Sequence, residues 1–190
     1  VYIDGKKIKR GSAKASINAG IYLAPEDRKR TGLITQFDVS MNVSLASLEN
    51  HSNGLGIINN ESEKTTANEQ IKKLNIKTPS AETPVINLSG GNQQKVVLGK
   101  WLSMNPKLII FDEPTRGIDV GAKAEIYKLM RRLADRGVAI LMISSDMEEV
   151  LGISDRIAVM HEGNITGILD REEFTEENIM HLAVGGSSES

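Results

Sequence analysis

Two short stretches of this sequence carry residue types suited to phosphate chemistry. The first is Leu88-Ser89-Gly90-Gly91-Asn92-Gln93-Gln94, at the start of a segment with helical spacing. A helix N-terminus exposes unpaired N–H groups and about half a positive elementary charge. Glycines there remove the Cβ atoms that would block close approach of a phosphate, and the Ser89 hydroxyl can donate to a phosphate oxygen. The second is Leu108-Ile109-Ile110-Phe111-Asp112-Glu113-Pro114-Thr115, an apolar run that ends in two adjacent carboxylates. One carboxylate of such a pair can hold Mg²⁺, directly or through water, and the next can orient or deprotonate an attacking water. Each stretch also has a plain structural reading, as a helix cap followed by glycines and as an acidic turn after a buried strand.

The elements around these stretches are legible from periodicity. Residues 1–9 read as two short strands around Asp4-Gly5. Ile21-Tyr22-Leu23 reads as a strand ending at Pro25, followed by a charged loop over Glu26–Arg30. Residues from Val39 to Ile76 are polar, with sparse apolar positions at helical spacing. They predict a small, solvated and weakly packed helical piece with a mobile loop near Asn53–Asn60. Ser89 is placed to cap a helix reaching about Met104, with Val97, Leu98, Trp101 and Leu102 buried and Asn105-Pro106 as its stop. Leu108–Phe111 and Val138–Ile143 read as strands buried on both faces. Between them, Ile126, Leu129, Met130 and Leu133 give the buried stripe of a helix over Val120–Asp135, ended by Gly137. A short helix near Met147–Leu151, strands at Arg156–Met160 and Ile165–Leu169, and a helix over Glu176–Val184 complete the chain. Strand–helix alternation predicts an α/β fold with a mainly parallel sheet flanked by helices, and ligands at the carboxyl ends of its strands.

Composition narrows the function classes. The 190 residues contain no cysteine, which excludes disulfides, thiolate metal sites and cysteine nucleophiles. The net charge of -2 gives no bulk attraction to nucleic acid. His51, His161 and His181 are scattered and lack metal-ligand spacing. No apolar run is long enough to span a bilayer, and the polar start has no signal-peptide pattern.

Taken together, the two stretches are far more specific than either alone. Asp112 follows Ser89 by 23 residues, room for one helix, a proline turn and one strand, and Asp119 follows seven residues later. Leu88–Gln94 resembles the signature of ABC-type ATPases, Asp112 and Glu113 the Walker B pair, and Arg116-Gly117-Ile118-Asp119 the D-loop. The resemblance covers essentially the whole chain. Ala24-Pro25-Glu26-Asp27-Arg28-Lys29-Arg30, Asn92-Gln93-Gln94-Lys95, Pro114–Lys123 and Ile143-Ser144-Ser145-Asp146 are similar to the second cassette of the tandem ATPases of bacterial sugar importers. Those are the ribose, galactoside and xylose types, with the autoinducer-2 importer as a close relative.

The resemblance implies a P-loop cassette that uses ATP and Mg²⁺ at the cytoplasmic face of the membrane. Its implied partners are a second cassette bound head to tail, membrane permease subunits and, indirectly, a sugar-binding protein. It implies nucleotide contacts from Ser89, Gly90, Gly91, Asn92, Gln93 and Asp119, a metal role for Asp112 and for Glu26, and a catalytic role for Glu113. Arg28, Lys29 and Arg30 read as a solvated basic loop, with phosphate binding as the alternative.

Three departures qualify the match. No G-x-x-x-x-G-K-[ST] loop occurs, so a partial cassette is expected. Glu26 stands where the Q-loop Gln is usual, and Ser145 where the switch His is usual. Hydrolysis at this cassette's own site is therefore expected to be degenerate, as a serine cannot supply imidazole chemistry. The division expected is 1–34, a β-rich remnant; 35–105, a helical subdomain with the signature; and 106–190, the α/β half of the ATPase core. A non-transport ABC ATPase and a remnant without hydrolytic activity stay open as alternatives.

Overall fold

A computed structural model describes residues 2–9 and 11–186. Asp4 and Gly5, with φ of +48° and +73°, form the left-handed pair that a two-residue hairpin needs. They join Tyr2–Ile3 (β1) to Lys6–Lys7 (β2), paired antiparallel. Ser12 then caps Ala13–Asn18 (α1), accepting the Ala15 N–H at 3.2 Å. Ile21–Ala24 (β3) follows as expected. Beyond it, residues 28–32 differ from the expected loop and close into one wide helical turn. Asp27 is the cause: its carboxylate accepts the Arg30 N–H at 3.1 Å and its carbonyl accepts the Thr31 hydroxyl at 2.8 Å.

The helical region comprises Val39–Ser44 (α2), a 3-10 turn to His51, Asn60–Leu74 (α3) and Gly90–Leu102 (α4). It is better packed than its polar composition predicts. Val39, Val43, Ala67 and Val85 are fully buried. Several of its buried polar groups are paired: Ser44 donates to the Glu63 carboxylate, and Asn42 bonds the backbone of Ile34, Phe37 and Asp38. Helix α4 is enclosed almost all round, so Val96 is as buried as Val97 and Leu98. Trp101 and Leu102, expected in the core, are only half-buried. Trp101 instead stacks on Tyr22 at 4.9 Å and donates to the Leu23 carbonyl at 2.8 Å, tying α4 to β3.

Leu108–Asp112 (β4), Val120–Ala134 (α5) and Ala139–Ile143 (β5) form the expected strand–helix–strand unit. The sheet runs β3-β4-β5, all parallel, with Leu23, Ile110 and Leu141 in one row. Ile126, Leu129, Met130 and Leu133 are the buried stripe of α5, as read from the sequence. The strands themselves are not buried on both faces. Ile109 and Phe111 are fully buried, whereas Leu23, Leu141 and Ile143 on the opposite face are 45%, 50% and 49% exposed.

The chain divides into two compact units that meet in sequence at Ile143 and Ser144. The divisions read from the motifs, at 34/35 and 105/106, do not coincide with this one. The second unit contains Met147–Ile153 (α6), Arg156–His161 (β6), Asn164–Asp170 (β7) and Glu176–Ala183 (α7). Here β6 and β7 form their own antiparallel pair. Glu162 and Gly163, at φ of +46° and +80°, make a tight turn, far too short for the crossover a parallel pair needs. Ile157, Val159, Leu169, Ile179 and Leu182 are the core of this unit.

Candidate functional site

Ser89 is the N-cap residue of α4 by position, with extended backbone at φ -62° and ψ 158°. Its carbonyl accepts the Gln93 N–H at 2.9 Å, but its hydroxyl makes no cap bond to the helix. That hydroxyl instead accepts from Asn92 Nδ2 at 2.9 Å, while Asn92 Oδ1 accepts the Lys77 N–H at 2.8 Å. Both ends of the Asn92 amide are thus used inside the protein. The exposed Ser89 hydroxyl keeps its own proton to donate outward.

The two glycines make room for the chain itself. A Cβ on Gly91 would lie 2.7 Å from Ala122 Cβ, so Gly91 lets α4 meet the first turn of α5. A Cβ on Gly90 would lie 2.6 Å from Arg28 Nη2 and 3.3 Å from the Gly117 carbonyl. Gln93 is 3% exposed, and its amide donates to the Val85 carbonyl at 3.1 Å.

The paired carboxylates end β4. Asp112 lies level with Ile143 of β5 and is half-buried. Among the described residues no cation pairs with it. Glu113 turns the chain: its φ is +46°, and its N–H donates to the Ile143 carbonyl at 2.9 Å. A left-handed non-glycine residue costs about 1–3 kcal/mol, and such strain clusters at functional sites. Pro114 and Thr115 are buried beneath this turn, and Gly117 completes the loop at φ +67°. Asp119 caps α5, accepting the Ala122 N–H at 2.9 Å.

The structure brings the signature and Asp119 together. Ser89, Gly91, Asn92 and Asp119 line one cleft of about 220 Å³, together with Lys95 and Glu125. Lys95 is 5% exposed and bonds both the Asn75 carbonyl and Glu125, and its ammonium holds the Glu125 carboxyl below the usual range. Asp112, Glu113 and Glu26 lie outside this wall. Glu26 is paired with Arg116. Among the described residues no group of three metal-ligating side chains is assembled. Asp112 alone suits a Mg²⁺ ion whose remaining ligands are water and phosphate oxygens. Sequence reading placed Arg28 in a basic loop and Arg116 in the D-loop but missed their contacts, Arg28 on Gly90 and Arg116 on Glu26; partners 62 and 90 residues distant leave no local signal.

Fold and site together define an α/β nucleotide-binding domain. The chain belongs to the ABC transporter family, whose sequence profile matches residues 1–116. It is 53% identical to the ribose import ATP-binding protein RbsA of Clostridium tetani, over 99% of this chain and 37% of that protein. It is also 53% identical to the xylose import ATP-binding protein XylG of Moorella thermoacetica, over 98% of this chain and 36% of that protein. The chain therefore spans little more than a third of the length of these relatives. In fold it is similar to a dimeric, post-hydrolysis ATP-binding cassette, MJ0796, bound to ADP and Pi. The TM-score is 0.73 at 23% identity, covering 91% of this chain and 73% of that one. The cbiO1 protein of Clostridium perfringens, part of an ABC transporter complex, gives 0.72 at 24% identity, covering 95% of this chain and 69% of that one. Among the described residues no helix is long and apolar enough to cross a membrane.

Proposed function

We propose that this chain is part of the second cassette of a tandem ATP-binding subunit that drives bacterial uptake of a monosaccharide. Its signature acts across an interface, completing an ATP site whose phosphate loop belongs to the other cassette. One observation carries this reading: the Ser89 hydroxyl stands exposed at the start of α4, oriented by Asn92 and free to donate. The relatives named for ribose and xylose import support the transport role.

Nucleotide contact narrows to the Ser89 hydroxyl and the backbone N–H groups of Gly90 and Gly91. Asn92 orients the hydroxyl, and Asp119 shapes the adjoining wall. Bound Mg²⁺ would neutralise phosphate charge at Asp112. Glu113 lies in the weaker site. The partners are the other cassette, head to tail, and permease subunits at the cytoplasmic face of the membrane. A sugar-binding protein feeds the permease.

The test is Ser89→Arg in the full-length polypeptide, read by uptake of labelled ribose and xylose. An arginine side chain fills the space a phosphate needs, so uptake should fall by about a hundredfold or more. Unchanged uptake would refute the signature role.

A further inference from the structure

Residues 28–32 run alongside α4 and are held at both ends. At the far end, Lys100 Nζ donates to the Gly32 carbonyl at 2.7 Å, and Val97 Cγ2 lies 3.1 Å from where a Gly32 Cβ would sit. At the near end is the Arg28 guanidinium. Its Nη1 donates to the Arg116 carbonyl at 3.2 Å, and its Nη2 fills the space left by the missing Cβ of Gly90. The Arg116 side chain returns to pair with Glu26. The short stretch after β3 therefore grips the loop Glu113–Asp119 twice and the opening turn of α4 once.

Stability alone does not explain this arrangement. Burial lowers the pKa of the Arg28 guanidinium, and Asp27 only partly opposes it. Its Nε is buried and finds no partner among the described residues. A cation is also unfavourable at the positive end of a helix. The partly buried guanidinium gives up some of its hydration without full pairing, which an apolar side chain of similar volume would not. What an apolar side chain lacks is the rigid, planar fork that sets a fixed spacing between two loops.

We propose that Arg28 is a positioning residue whose guanidinium fixes the spacing between the turn Ser89–Gly90 and the loop Glu113–Asp119. The signature turn and Asp119 then face their shared cleft as one surface, and a displacement of residues 26–32 reaches both. This rests on the reading of Ser89 and Gly90 as nucleotide contacts.

The experiment uses the full-length polypeptide assembled with its membrane partners. Steady-state ATP hydrolysis and thermal midpoints are measured for Arg28→Met, Arg28→Lys, Gly90→Ala and the double variant Gly90→Ala/Arg28→Met. Arg136→Met, on an exposed residue after α5, and Ser89→Arg are the references. Arg28→Met should lower kcat by about tenfold with KM for ATP nearly unchanged, and with a thermal midpoint close to that of Arg136→Met. Arg28→Lys keeps the charge without the fork and should not restore kcat. The double variant should be no worse than the worse single variant, because both act through one contact. The proposal falls if Arg28→Met turns over ATP like Arg136→Met, if Arg28→Lys restores kcat, or if the single effects multiply. It also falls if kcat drops only in proportion to lost stability. Loss of hydrolysis in Ser89→Arg with normal hydrolysis in Arg28→Met removes this proposal alone. Normal hydrolysis in Ser89→Arg removes the reading beneath it as well.

Discussion

At the scale of single residues, the glycines of the signature do a different job from the one their type suggests. Their lack of Cβ was expected to admit a phosphate. In the structure, Gly91 admits Ala122 of α5 and Gly90 admits the Arg28 guanidinium. Gly91→Ala forces a Cβ to 2.7 Å from another Cβ, and neither atom can swing away. Overpacking of this kind costs about 1–3 kcal/mol, which at this chain length corresponds to about 2–4 °C per kcal/mol. Calorimetry should therefore show a midpoint lowered by several degrees, whereas Gly54→Ala, in open space, leaves it in place. The motif was legible as a motif because Ser, Gly and Asn sit at fixed offsets before a helix. The roles of Asn92 and Gln93 were not, because two amides one residue apart point about 100° apart around a helix. Asn92 reaches Ser89 and Lys77, and Gln93 faces the interior.

At the scale of elements, α4 organises the first unit. It carries the signature at its start, and near its end Lys100 and Trp101 hold the 28–32 turn and β3. Lys100 is 7% exposed, and burial lowers the pKa of its ammonium. The sign follows from linkage. The unfolded chain keeps an ordinary lysine, near pH 10.4, so between the folded and unfolded values the unfolded state binds more protons. Stability therefore rises with pH across that window. Urea titrations at pH 7.5, 9 and 10 should show the wild-type chain gaining on Lys100→Met as pH rises. The comparison cancels the opposing contribution of Tyr22, whose phenol burial pushes up. A constant difference would show that Lys100 titrates alike folded and unfolded. Element existence was largely legible here. The apolar stripe of α5 and the short strands were found where their periods placed them. The turn at 28–32 was not, because its bonds come from Asp27 and Thr31 rather than from any apolar pattern.

At the scale of the whole molecule, the site is one-sided. Signature and Asp119 meet in a cleft, while Asp112 and Glu113 end β4 outside it. No G-x-x-x-x-G-K-[ST] loop is present in the 190 residues, so the chain has no evident cradle for the α- and β-phosphates. The purified 190-residue chain should accordingly show little or no ATP turnover in a coupled assay with Mg²⁺. Robust turnover at the rate of a complete cassette would mean that this loop is dispensable.

The sequence by itself determined the elements, the motif positions and the family they resemble, since these depend on local periods and on residue types at fixed spacings. Tertiary structure decided which faces of the strands are covered. It also decided that β6 pairs with β7 rather than with the parallel sheet, and what the signature residues touch. The physical reason is range. A helix stripe is written within about seven residues, whereas the contacts of Arg28 with Gly90 and of Glu26 with Arg116 form only when distant segments pack.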